Sequence, residues 1–113
     1  MILIDETLAQ HPVVRRVLEV GYEIKYSFRS GLPLVDISVS YRGEAAAYAC
    51  VAYSKELNTS YVESINVQPG HRRRGVANAI RVCSIELTGC PPFPAANQTE
   101  EGKSWWNQPN RPW

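Results

Sequence analysis

The stretch Tyr61-Val62-Glu63-Ser64-Ile65-Asn66-Val67-Gln68-Pro69-Gly70-His71-Arg72-Arg73-Arg74-Gly75-Val76-Ala77 decides the fold. Its first seven residues alternate with period 2, which predicts a strand with Tyr61, Glu63, Ile65 and Val67 on one face. Pro69 and Gly70 end that strand. Beyond the turn, Val76, Ala79, Ile80, Cys83 and Leu87 recur at spacings of three and four, predicting an amphipathic helix from about Arg73 to Thr88 with Gly89 as its stop. A helix entered this way starts with main-chain N–H groups that have no intrahelical partner and lie at the positive end of its dipole. Those donors suit a phosphate. Arg72, Arg73 and Arg74 add charge around the mouth, while Gly75 and Ala77 are small enough to let a pyrophosphate reach the backbone.

Working outward, Leu8, Val13, Val14, Val17 and Leu18 give a broken helical pattern between Asp5 and Val20, with Pro12 starting a new turn or a second short helix and Gly21 closing it. Three β-like runs follow: Tyr22 to Phe28, Leu34 to Tyr41 and Ala45 to Tyr53. The joints 29–33 and 42–44 are hairpin-like. The order helix, strands, helix predicts an α/β (α+β) domain, a mixed and mostly antiparallel sheet flanked by helices. The segment 90–113 changes character. It is rich in Pro, Asn and Trp, and only Thr99 to Trp106 reads as a helix start, with Thr99 as N-cap.

At 113 residues the chain predicts one domain, 1–113, with no internal repeat. A formal net charge of +1 argues against general polyanion binding, so any basic function is local. Cys50, Cys83 and Cys90 are odd in number and lack a Cys-x-x-Cys spacing, which predicts buried, reduced thiols and no metal site. Asp5 interrupts the apolar start where a signal peptide would carry its core, and no run reaches the roughly 18 residues of a membrane span. A soluble, cytoplasmic protein with no membrane partner is the expectation.

The pattern Pro69-x-x-Arg72-x-x-Gly75-x-Ala77 after a strand ending in Val67 resembles the acetyl-CoA-binding motif of the GNAT N-acetyltransferase family, whose core is Gln/Arg-x-x-Gly-x-Gly/Ala. The strand before and the helix after agree with that motif. The resemblance implies a compact, C-terminally shortened member that uses acetyl-CoA as cosubstrate and transfers its acetyl group directly to a primary amine of an unknown small molecule or protein. It implies that the main chain of Arg72, Arg73, Arg74, Gly75, Val76 and Ala77 holds the pyrophosphate. Ile65 and Val67, on the preceding strand, would hold the pantetheine arm and polarise the thioester carbonyl. Glu63 would be the base that deprotonates the incoming ammonium, with burial raising its pKa toward neutrality. The family's Tyr near the thiol has no counterpart after Tyr61, and the match at Asn97 to Trp106 is loose. The general acid is therefore unassigned.

Other readings stand beside these. The arginine run also fits a solvated surface patch, or a nucleic-acid contact together with Arg15 and Arg16, although the near-neutral charge counts against nucleic acid. Glu63 also fits a solvent-facing or ion-paired strand carboxylate. His71 reads as a turn residue rather than a base. Trp105, Trp106 and Trp113 fit packing better than stacking on a ligand ring, and Cys90 lacks a His partner. A non-catalytic binding or regulatory module of the same fold is the alternative to an enzyme, and the Pro- and Trp-rich end leaves room for a homodimer.

Overall fold

The computed structural model describes residues 1–91. The expected helix start at Thr99 and the three tryptophans lie outside the described residues. The elements are β1 (Ile2–Leu3), α1 (Glu6–Ala9), α2 (Pro12–Val20), β2 (Tyr22–Phe28), β3 (Leu34–Tyr41), β4 (Glu44–Ser54), β5 (Thr59–Val67), a 3-10 turn (Pro69–His71) and α3 (Val76–Thr88). This is the α+β arrangement the sequence predicts. The described strands form one sheet in the order β1-β2-β3-β4-β5, each antiparallel to its neighbour.

Local chemistry explains the joints. The Asp5 carboxylate accepts from Leu8 N at 2.8 Å and caps α1, and His11 Nδ1 accepts from Val13 N at 3.2 Å to cap α2, with Pro12 in its first turn. Pro12 thus divides two helices. Arg42 and Gly43 carry φ of 51° and 83°, the left-handed pair that a two-residue hairpin turn requires to match strand twist. The two-residue β1 had no periodic signal to announce it.

One face of the sheet packs under the helices. In register across it run Tyr26, Ile37, Ala49 and Ile65, then Ile24, Val39, Ala47 and Val67. Val14 and Val17 of α2 and Val76, Ala79, Ile80 and Cys83 of α3 cover this face. The opposite face is polar: Lys25, Ser38, Tyr48 and Asn66 form one row, and Ser27, Asp36, Cys50 and Ser64 the next. On α3, Arg81, Val82, Ser84 and Thr88 are buried along with the apolar stripe, so the helix is enclosed more widely than its periodicity predicts.

The expected single face of β5 is corrected by its register. Val62 pairs with Val51 and Ser64 with Cys50, leaving Glu63 as an extra residue on β5. This β-bulge shifts the alternation by one. Ile65 and Val67 therefore face the helices, as Val62 does, whereas Tyr61, opposite Ala52, sits on the polar face.

Candidate functional site

The segment between β5 and α3 is built from hydrogen bonds that leave its basic residues outside. Gln68 N donates to Ala46 O at 2.9 Å and fixes the end of β5 against β4, while His71 N donates to Gln68 O at 2.8 Å to close the 3-10 turn. Arg72 Nε donates to Val67 O at 2.9 Å, so part of that guanidinium folds back on the strand end. Arg72, Arg73 and Arg74 are all exposed. Arg73 lies at φ 62°, and Gly75, the N-cap of α3, at φ 84°.

The helix begins at Val76, three residues later than the periodicity predicts, because the left-handed turns at Arg73 and Gly75 interrupt helical backbone. Gly75 serves that turn first. A Cβ there would stand 3.7 Å from Val17 Cγ1, an ordinary contact, so conformation rather than space calls for glycine. No side chain caps the start of α3, and its first helical bond is Ala79 N to Gly75 O at 3.0 Å. Val76 is buried and Ala77 partly so.

Ile65 and Val67 are half-buried on the helix side of β5, which among the described strands has a neighbour on one side only. Ser60 N at its start donates to Pro91 O at 2.9 Å. Glu63 is exposed at the bulge, so the burial expected of it is absent. It shares the polar side with Tyr61, whose hydroxyl it accepts, and that bond raises the Tyr61 pKa because ionisation would place a second negative charge beside the carboxylate.

Two groupings were not legible in the sequence. On the polar face, Arg29 forks onto Asp36 with Nε–Oδ2 of 2.8 Å and Nη2–Oδ1 of 2.9 Å, and the Tyr48 hydroxyl donates to the same carboxylate. The Arg29 hydrogen bond holds Asp36 below the usual carboxylate range, and the Asp36 bond raises Tyr48. Burial raises the thiol of Cys50, paired with Asp36 across the strands. Behind the 3-10 turn, the hydroxyl of buried Tyr22 lies 2.8 Å from His71 Nδ1.

At the other end of α3, Asp5, Thr7, Leu8, Gln10, His11, Glu86 and Leu87 line a cavity of about 380 Å³. Ten residues separate Val76 from Glu86, roughly 15 Å along a helix. All three cysteines are free and buried; burial pushes Cys83 up to about 12, and a thiol so placed is packing. Among the described residues no His, Cys, Asp and Glu cluster suits a metal, and no helix is long and apolar enough to cross a membrane. No protein-family model, curated protein or solved structure matches the chain.

Proposed function

We propose that the protein is an acetyl-CoA-dependent N-acetyltransferase, as its resemblance to the GNAT family suggests. The observation that carries the reading is the uncapped start of α3, reached from β5 through the left-handed turns at Arg73 and Gly75 and rimmed by three exposed arginines. The Arg72 N–H is donated to Pro69 O, so main-chain donors of residues 73–77 would bind the pyrophosphate, with the helix dipole and guanidinium charge adding to the attraction.

An extended ligand that carries amides can align with the edge of a strand through main-chain hydrogen bonds. Among the described residues β5 has a strand neighbour on one side only, and the other side, from Val67 back toward the bulge, would give the two amides of the pantetheine arm such an edge. The bulge interrupts the ladder at Glu63 and brings a carboxylate and the Tyr61 hydroxyl together at mid-strand. In this reading Glu63 takes the proton of the attacking ammonium, directly or through a water, and no covalent acyl-enzyme forms. The acceptor is a primary amine.

Isothermal titration with acetyl-CoA, set against pantetheine lacking the nucleotide, tests the cradle. Saturable binding that weakens sharply without the pyrophosphate is expected, and no binding at millimolar acetyl-CoA would sink the proposal. Turnover with a panel of amines then tests the chemistry. Glu63→Gln should lower the rate at neutral pH with little change in cofactor affinity, and an unaltered pH profile removes Glu63 as the base. Binding without turnover would instead mark a non-catalytic module, a reading to which the exposure of Glu63 lends some weight.

A further inference from the structure

His71 closes the 3-10 turn immediately before the arginines, and the binding scheme above gives it no task. Its surroundings are specific. The Tyr22 hydroxyl lies 2.8 Å from Nδ1, the Tyr22 and His71 rings meet edge-on with centroids 5.5 Å apart, and Tyr41 packs against both at 4.9 and 5.6 Å. Arg42 lies over the outer partner, its Cζ 5.2 Å from the Tyr41 centroid. Tyr22 is 3% exposed, so its hydroxyl needs a partner, and as a donor to Nδ1 it places the imidazole proton on Nε2.

The position of the turn matters because the arginines and the start of α3 follow directly from it. Gln68 N to Ala46 O and Arg72 Nε to Val67 O tie it to β4 and β5, and the His71 contact adds a tie to β2 and β3. Two left-handed residues, Arg73 and Gly75, follow directly. A group of main-chain donors binds an anion well when it is held in place beforehand, since the ordering cost is then not drawn from binding.

We propose that His71 is a positioning residue for the cradle: its hydrogen bond to Tyr22, clamped by Tyr41, pins the turn to β2 and β3 and so presets the donors of residues 73–77. This rests on the acetyl-CoA reading above. Tyr22 and Tyr41 are the fixed frame, and His71 is the link between that frame and the ligand site.

The test uses Tyr22→Phe, which keeps the ring and deletes the bond, with His71→Ala and His71→Asn, whose side-chain oxygen can accept the Tyr22 hydroxyl. In the unaltered protein the ¹⁵N signals of His71 should show one neutral tautomer, protonated at Nε2, and in Tyr22→Phe an average of two. Loss of a hydrogen bond of ordinary strength predicts acetyl-CoA binding weakened about fivefold to tenfold in Tyr22→Phe. KM for acetyl-CoA should rise with kcat unchanged, amide exchange at residues 74–77 should quicken several-fold, and His71→Asn should bind more tightly than His71→Ala. Unchanged affinity in Tyr22→Phe, or His71→Asn no better than His71→Ala, overturns the proposal. Should the unaltered protein bind no acetyl-CoA, the cofactor reading fails and amide exchange decides alone: faster exchange in Tyr22→Phe sustains the pin, and unchanged exchange overturns it.

Discussion

Gly75→Glu separates what the cradle does for the fold from what it does for a ligand. An L-residue at φ 84° incurs roughly 1 kcal/mol or slightly more of left-handed strain. Space adds nothing, since the new Cβ meets Val17 Cγ1 at 3.7 Å. A carboxylate at a helix N-terminus returns about 0.5 kcal/mol through the dipole. The net loss of about 0.5–1 kcal/mol should lower Tm by a few degrees in a domain of this size, leaving a folded protein. Binding should suffer far more. Taking an effective dielectric of about 40 and a separation of roughly 6 Å, one carboxylate against two pyrophosphate charges costs about 3 kcal/mol, or close to a hundredfold in Kd. Thermal melts and acetyl-CoA titration on the same preparation read both quantities, with Gly75→Ala reporting strain without charge. Refutation would be a folded Gly75→Glu that binds acetyl-CoA as tightly as the parent, because no pyrophosphate could then sit at this helix start.

Two further predictions concern the rest of the sheet and α3. Asp36 has its pKa lowered by Arg29, so its contribution to stability is present above the unfolded carboxylate value of about 3.9 and disappears as pH falls through the lower folded value. Asp36→Asn should reduce stability at neutral pH and flatten the acid limb of a stability-against-pH curve; an unchanged limb would show that the Arg29 fork contributes nothing in solution. Cys83, buried and with its pKa pushed up to about 12, should resist a thiol reagent at pH 8 until the protein unfolds. Labelling of Cys83 in the native protein, located by peptide mapping, would contradict its place in the core.

Much of the architecture was legible because its signals are local. Pro12 dividing α1 from α2, Gly21 closing α2 and Gly89 closing α3 each act within a few residues. Glu63 shows how a local signal misleads. Its strand reads as alternating through Tyr61, Ile65 and Val67, yet Val62 and Ile65, three apart and both apolar, already carry the phase break that the bulge creates. Arg29, Asp36 and Tyr48 meet only once β3 and β4 are in register. Tyr22 and His71 are 49 positions apart, so no reading of the turn alone could supply its anchor. The arginine turn was visible in the sequence, but its support was not.

That separation has a kinetic side. From β2 onward each strand pairs with its immediate successor, so the sheet can close hairpin by hairpin with short loops, the contact pattern that favours rapid folding. The Tyr22–His71 contact closes a much longer loop and depends on β2 through β5 being in place. We predict that substitutions in the β3–β4 hairpin slow refolding, whereas Tyr22→Phe chiefly quickens unfolding; a slowed refolding limb for Tyr22→Phe would reverse that order. In that order β2 to β4 assemble first, and the arginine turn between β5 and α3 takes its place only after the sheet that anchors it.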